Sequence, residues 1–172
     1  MSDRPITVLF LCTGNSARSI LAEALLNALG RGRFMAISAG SHPAGKVNPE
    51  ALKKLAAQGH ATAGLASKSW DNFSGHDAPE VDIVITVCDN AAAESCPVWN
   101  GSPVTLHWGI PDPAVEAQKQ ASQVAFDRAY ERLRRRIIAM LALPLEDYDT
   151  ATRGEALRRV HAAAIRNEAG DA

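Results

Sequence analysis

The sequence predicts an α/β protein: a single domain with a four-stranded parallel sheet flanked by helices, and a C-terminal helical extension. Two short segments are continuously apolar, as expected for parallel strands that are covered on both faces. Helical stretches separate these and two further strand candidates, and such alternation is typical of a parallel sheet. The length of 172 residues suffices for one domain with a substantial core.

Strands and helices can be assigned in chain order. The predicted strands are Ile6–Leu11, Arg33–Gly40, Val81–Val87 and Pro103–Trp108. The predicted helices are Ser19–Leu29, Pro49–Gln58, which begins with a proline suited to the first turn, and Val115–Leu141. The last helix carries one apolar stripe with a spacing of three or four residues: Phe126, Tyr130, Leu133, Ile137 and Leu141.

The domain is predicted to span residues 1–142, and residues 143–172 form the C-terminal extension with a short amphipathic helix. Pro144 interrupts the preceding helix, and Asp149 and Thr150 are candidate caps for the next one. The extension could pack on the domain, pair with a second subunit or fray.

Composition excludes several classes of function. The formal net charge is −1, which gives no support for nucleic-acid binding or for a basic membrane-binding patch. Apolar runs fall short of the ~18 residues of a membrane span, and the N-terminus lacks the features of a signal peptide. A cytoplasmic location is therefore expected. One basic run is expected to be a solvated helix face: Arg132, Arg134, Arg135 and Arg136.

The segment CTGNSARS, residues 12–19, carries the strongest functional signal. Cys12 lies where the first strand ends, and Arg18 follows six positions later at the start of a helix. Small residues between them let the backbone curl with its N–H groups inward, and a helix N-terminus favours an anion. The Arg18 guanidinium matches a tetrahedral oxyanion. These positive surroundings should also favour the thiolate of Cys12, a nucleophile at neutral pH.

Every residue of this loop therefore has an expected role. The predicted oxyanion-binding residues are Thr13, Gly14, Asn15, Ser16, Ala17 and Arg18. Ser19 is expected to donate a hydrogen bond to the Cys12 sulfur. A nucleotide-binding P-loop is disfavoured because the Gly-Lys-Ser/Thr ending is missing. The alternative is a small buried cysteine with no chemical role.

The stretch VLFLCTGNSARSILAE resembles the active-site loop of the low-molecular-weight protein tyrosine phosphatases and of the arsenate reductases with the same fold. The resemblance extends over about Ile6 to Leu141 and excludes the C-terminal extension. It implies that Asp112, in LHWGIPDPAV, is the general acid that protonates the leaving oxygen. Asp112 follows a strand, so it should face the same sheet edge as Cys12, although Asp-Pro is also a common turn sequence.

Two further cysteines lie in VDIVITVCDNAAAESCPVW. Cys88 ends its own strand, and neighbouring strands are about 4.8 Å apart, so its sulfur could approach that of Cys12. Cys96 follows after seven residues. The resemblance to the arsenate reductases implies a thiol relay: Cys12 attacks arsenate, Cys88 attacks Cys12, and Cys96 attacks Cys88. Thioredoxin or glutaredoxin with glutathione would then reduce the final disulfide. The alternatives are two buried thiols or a metal pair, although the spacing matches no common zinc motif.

Two other functions stay open. The chain could be a low-molecular-weight protein tyrosine phosphatase that hydrolyses phosphate monoesters through a phosphocysteine, or an anion-binding module without catalysis. Ala114 and Val115 follow Asp112 where phosphatases typically have tyrosines. The segment SAGSHPAGKVNPEAL also lacks aromatic residues. A small oxyanion, arsenate with phosphate and sulfate as competitors, is therefore favoured.

No organic cofactor is expected, but the resemblance implies a possible potassium site. The matching positions are Asn15, Glu23, Ser38 and Asp71. The histidines show no ligand spacing and are interpreted as surface or core residues outside the site: His42, His60, His76, His107 and His161. His107 is predicted to lie nearest the rim of the site.

Overall fold

The structure, a computed structural model, describes residues 3–170 and contains a four-stranded sheet. The strands are β1 Ile6–Cys12, β2 Phe34–Gly40, β3 Ile83–Thr86 and β4 Val104–His107. They are parallel and have the order β2-β1-β3-β4. The predicted fold class is confirmed, with β1 and β3 as neighbours.

The α-helices are α1 Arg18–Leu29, α2 Pro49–Ala57, α3 Asp89–Ala93, α4 Pro113–Glu116, α5 Ser122–Leu141 and α6 Thr150–Gly170. The single helix predicted over Val115–Leu141 is wrong. It is divided between α4 and α5, because Ala121 adopts an extended backbone conformation immediately before α5. Helix α3 was not predicted, since five residues are too few to show a helical period. Between residues 3 and 170, no helix is both long and apolar enough to cross a membrane.

Both faces of the sheet are covered, which explains why β1 has no polar alternation. Val8 and Phe10 point into the main core that the helices share, and both are fully buried. Leu9 and Leu11 point to the other face, where they pack in a smaller cluster with Trp99. Successive residues of a strand face opposite sides, so an apolar core on each side requires a continuously apolar strand.

The C-terminal extension packs on the domain, and its helix is not short. Helix α6 has 21 residues and runs beside β4, the edge strand. Trp108 Nε1 donates to the Leu157 carbonyl at 3.1 Å, and Leu157 is fully buried. Arg158 donates to the Thr105 carbonyl at 3.2 Å, which covers part of an otherwise open strand edge.

One residue of the basic run is not solvated. Arg136 is completely buried and forms two hydrogen bonds with the Glu168 carboxylate, of 2.6 and 3.2 Å. Its Nε donates to His161 Nδ1 at 3.0 Å. The prediction of a solvated face is therefore wrong for Arg136, because α6 covers that side of α5. Arg134 is exposed, as expected.

Candidate active site

The loop after β1 is fixed from the outside through its carbonyl groups. Three carbonyl oxygens each accept a 2.9 Å bond from a backbone N–H of the segment that precedes α2: Thr13 from His42, Gly14 from Ala44 and Ser16 from Asn48. With these carbonyls turned outward, the loop's N–H groups can face its centre. The Gly14 N–H indeed donates to the Cys12 sulfur. Arg18 is the first residue of α1, directly after Ala17.

Asn15 holds the shape of this loop from within. It is completely buried and has a left-handed backbone conformation, with φ of 44°. Its amide donates to Ser19 Oγ at 2.8 Å and to Ser38 Oγ at 2.9 Å, and it accepts from the Lys68 N–H at 2.8 Å. The Ser19 hydroxyl is thus engaged with Asn15 in this state. Its expected hydrogen bond to the Cys12 sulfur stays a prediction.

Gly40, at the end of β2, lets the loop pass very close to the sheet. A Cβ atom at this position would lie 2.4 Å from the Thr13 carbonyl oxygen and 2.9 Å from that of Cys12. Real Cβ atoms do not approach backbone oxygen so closely, so any larger residue would push the loop out of place. Gly40 is a residue of the site that the sequence reasoning missed.

The structure brings Cys12 and Cys88 together. Cys12 ends β1 and Cys88 follows β3, the neighbouring strand, and their thiols are close enough that each shifts the pKa of the other. Both cysteines are reduced and buried. Cys88 is also the N-cap of α3, where its sulfur accepts from the Ala91 N–H at 3.4 Å. Thr13 Oγ1 lies 3.7 Å from the same sulfur.

The interaction between the two thiols affects the pKa of each. It raises the pKa of Cys12 and lowers the pKa of Cys88 to about 5. The charge of Arg18 and the Gly14 N–H act on Cys12 in the opposite direction. The neighbouring thiol and the positive surroundings therefore act on Cys12 in opposite directions, and the thiolate at Cys12 stays a prediction. Transfer of a proton from Cys12 to Cys88 would charge Cys12.

Arg18 and Asp112 meet at the rim of the site. Arg18 donates to the Ile110 carbonyl at 2.9 Å, and its other terminal nitrogen lies 3.3 Å from the Asp112 carboxylate. Asp112 is the N-cap of α4, where its second oxygen accepts from the Ala114 N–H at 2.9 Å. The carboxylate thus lies at the same edge of the sheet as Cys12, as its position after β4 predicts.

The structure does not place Cys96 in contact with the other two cysteines. It is exposed, and its thiol donates to the Glu94 carbonyl at 3.9 Å. Among residues 3–170, no hydrogen bond joins it to Cys88. Burial and the Glu94 charge raise the pKa of Cys96. The Glu94 carboxylate accepts from Thr13 Oγ1 at 3.1 Å and so ties this segment to the loop. Sequence reasoning missed Glu94, although a carboxylate two residues before a relay cysteine was visible.

The proposed potassium ligands do not form a cage for a cation. Ser38 donates to the Glu23 carboxylate at 2.9 Å, and the Lys68 ammonium lies 3.6 Å from the same oxygen. A positive charge and hydrogen-bond donors therefore already satisfy the buried carboxylate. Asp71 is exposed, and within the described part of the chain it has no hydrogen bond to Asn15, Glu23 or Ser38. These residues do not fit a potassium ion.

A cavity of about 560 Å³ opens beside these groups. Its lining includes Arg18, Cys88 and Asp112 together with His107 and His161. The interpretation of His161 as a residue outside the site is therefore wrong, because α6 carries it to the cavity wall. No local motif could have indicated this. His107 also lines the cavity, so its interpretation as a residue outside the site is wrong as well, although it was the histidine expected nearest the rim.

Comparisons with known proteins agree with this geometry. Residues 7–151 match the family described as low molecular weight phosphotyrosine protein phosphatase. The chain is 33% identical over 129 residues to the arsenate reductase of Bacillus cereus (strain Q1), covering 75% of this chain and 92% of the relative. The solved arsenate reductase from Archaeoglobus fulgidus DSM 4304 is 30% identical, with a TM-score of 0.57 over 76% of this chain and 98% of that one. A structure described as an arsenate reductase in the intermediate state is 27% identical, with a TM-score of 0.61 over 80% of this chain and 97% of that one.

Proposed function

The chain belongs to the low molecular weight phosphotyrosine protein phosphatase family, and we propose that it reduces arsenate to arsenite with three thiols. The observation that carries the proposal is the proximity of the Cys12 and Cys88 thiols at the ends of the neighbouring strands β1 and β3. Hydrolysis of a phosphate ester needs one nucleophilic thiol. A second thiol in contact with the first allows the pair to supply the two electrons that convert arsenic(V) to arsenic(III).

The first step is attack on arsenate. The oxyanion binds to the loop N–H groups and to Arg18, which then exchanges its contact with Asp112 for contact with the substrate. The proton shared by the two thiols moves to Cys88, and the Cys12 thiolate attacks arsenic. An S–As bond forms and an As–O bond breaks. Asp112, which takes up a proton from solvent once Arg18 has left it, protonates the departing oxygen so that it leaves as water.

The second step transfers the electrons. After Cys88 loses its proton, its thiolate attacks the Cys12 sulfur. The S–As bond breaks, its electron pair stays on arsenic, and arsenite leaves behind a Cys12–Cys88 disulfide. The Cys96 thiolate then attacks Cys88 and releases Cys12 as a thiolate. A disulfide requires an S–S distance of about 2.05 Å, so α3, which separates Cys88 from Cys96, must rearrange.

A thiol reductant completes the cycle. Thioredoxin, or glutaredoxin with glutathione, supplies two electrons to the Cys88–Cys96 disulfide, and the exposure of Cys96 in the reduced state supports access from solvent. We assign this activity to the cytoplasm, where such reductants keep thiols reduced.

The test is to count the arsenite released per enzyme. The wild type should turn over repeatedly with a reductant and stop after about one arsenite without it. Cys12→Ser and Cys88→Ser should release none. Cys96→Ser should release about one, because the final exchange is lost, unless the reductant resolves the Cys12–Cys88 disulfide directly. Normal turnover by both the Cys88→Ser and Cys96→Ser variants would refute the relay.

A second candidate function is hydrolysis of phosphate monoesters through a phosphocysteine. It is favoured by the family match and by Asp112, a carboxylate held at the rim next to Arg18. Activity on a small aryl phosphate tests it. Cys88→Ser should keep this activity while losing arsenate turnover, because only reduction needs the second thiol. Cys12→Ser should lose both activities.

A further inference from the structure

The cavity beside Cys88 is larger than an inorganic oxyanion needs. Its volume of about 560 Å³ falls in the range of sites for small organic ligands. Cys88 contributes to its lining, and two residues of α6, His161 and Ile165, contribute to its wall. Helix α6 lies mostly beyond the segment that matches the family, residues 7–151.

Only the first half of α6 is needed to cover the sheet. Its contacts with β4 come from Gly154, which packs on Val104, and from Arg158, which binds the Thr105 carbonyl. The strand ends at His107. The second half of the helix continues beyond this point, packs on α5 through the Arg136–Glu168 pair and also reaches the cavity.

His161 presents a hydrogen-bond donor whose proton position is fixed. Its Nδ1 accepts from Arg136 Nε, and a guanidinium can only donate, so the ring proton is on Nε2. Burial and the Arg136 charge lower the pKa of His161 to about 4, which keeps the ring neutral. Within residues 3–170, Nε2 of this ring has no hydrogen-bond partner. Nε2 lies across the ring from Arg136 and is available to a molecule in the cavity.

Building on the proposed function, we propose that the cavity admits a thiol reductant that attacks Cys88 of the Cys12–Cys88 disulfide directly, with α6 as the positioning wall. The thiolate forms a bond to the Cys88 sulfur. The bond to Cys12 breaks, and its electron pair leaves on Cys12, where Arg18 and the Gly14 N–H stabilise it. A second thiol then attacks the reductant's sulfur in the mixed disulfide and releases Cys88 as a thiolate. Cys96 is not needed on this route.

The test uses the full chain with Cys96→Ser, in which diamide oxidation forms the Cys12–Cys88 disulfide without arsenate. Ile165→Lys and Ile165→Glu change the charge at the cavity wall. Ile138, on α5, provides matched controls because it is 43% exposed, against 48% for Ile165, and does not line the cavity. Reduction by a thiolate should be about threefold faster in Ile165→Lys and about threefold slower in Ile165→Glu at low salt. High salt should remove the difference.

Three reductants distinguish the source of the thiol. A charge effect with dithiothreitol and glutathione supports a small-thiol site, and an effect with thioredoxin supports a wall on which a protein dithiol docks. Equal rates in the Ile165 and Ile138 variants with all three reagents would overturn the proposal. Failure of diamide to form the Cys12–Cys88 disulfide would overturn it as well. Because arsenite release is measured separately, failure of the proposed function remains distinguishable.

His161 offers a second readout. His161→Gln keeps an acceptor for Arg136 and a donor for the cavity, whereas His161→Leu removes both. We expect His161→Leu to raise the KM for the thiol and His161→Gln to keep the KM close to that of the wild type. An equal change in the two variants would show that His161 has only a structural role.

Discussion

The two segments that carry the cysteines differ in how firmly they are held. In the loop that contains Cys12, three carbonyls are fixed by backbone bonds and Asn15 is completely buried. In the segment from Cys88 to Cys96, the regular structure is the five-residue helix α3, and the segment ends at the exposed Cys96. Thr13 links the second segment to the first: its Oγ1 donates to the Glu94 carboxylate and lies 3.7 Å from the Cys88 sulfur.

This difference corresponds to two chemical tasks. An oxyanion is stabilised best by donors that are already in position, because no reorganisation is then needed during the reaction. A thiol relay instead requires Cys88 to bond first to Cys12 and then to Cys96. The first exchange joins thiols that are already in contact, and the second needs movement. A rigid loop beside a weakly held segment satisfies both requirements.

Replacement of Arg18 should have the largest effect, because it removes the planar donors of the rigid loop. We expect Arg18→Lys to lower kcat/KM for arsenate by about 10²- to 10³-fold, since a point charge does not replace a planar fork of donors. Arg159→Lys is the control, because Arg159 is exposed and pairs with Glu155 on the surface of α6. Unchanged sulfate or phosphate affinity in Arg18→Lys would contradict this role.

The contact between the two segments can be tested through the pKa of Cys88. Cys12→Ala removes the hydrogen-bond donor, so the pKa of Cys88 should rise from about 5 towards its ordinary range. Cys12→Ser retains a hydroxyl donor and should keep it low. Thiolate absorbance near 240 nm during a pH titration measures the pKa of Cys88 in both variants. Equal values in the two variants would show that the Cys12 thiol does not stabilise the Cys88 thiolate.

Much of the loop that contains Cys12 could be predicted from the sequence, because the residues that identify it are close together in the chain. The spacing from Cys12 to Arg18 and the apolar strand before it identify the loop. Asp112 and Cys88 follow strands of one parallel sheet, so their position at the same edge follows from topology alone.

What the sequence did not reveal depends on contacts distant in the chain. The burial of Arg136 and the position of His161 result from the packing of α6 on α5. The raised pKa of Cys12 results from a thiol on another strand, and a local reading of the loop's positive charge gave the opposite direction. In each case the decisive neighbour is on a separate element.

A methyl group at Gly40 should destabilise the loop that contains Cys12, with a smaller effect than the replacement of Arg18. Gly40→Ala places a Cβ 2.4 Å from the Thr13 carbonyl, and overpacking of this kind costs about 1–3 kcal/mol. Gly14→Ala is the matched control, because its Cβ would have no atom within 4 Å. The free energy of unfolding in urea measures both. Similar losses would show that the loop moves away from β2 without cost.

The smallest expected effect concerns the hydrogen bond between Thr13 and Glu94. Glu94→Ala removes the acceptor for Thr13 and the charge that raises the pKa of Cys96. Loss of the hydrogen bond favours release of the segment. Loss of the charge lowers the pKa of Cys96 and so favours its thiolate. After one turnover of arsenate, the Cys88–Cys96 disulfide should therefore form about threefold faster, as loss of one modest hydrogen bond predicts.

Two controls separate the causes of this last effect. Glu94→Gln keeps an acceptor for Thr13 but removes the charge, so it should show only the part due to the pKa of Cys96. Glu155→Ala, on the exposed surface of α6, should leave the rate unchanged. Trapping the disulfides with an alkylating agent and mass spectrometry gives the rates. Slower formation in Glu94→Ala would mean that the bond to Thr13 positions Cys96 for attack, and that the second segment is less loosely held than its contacts indicate.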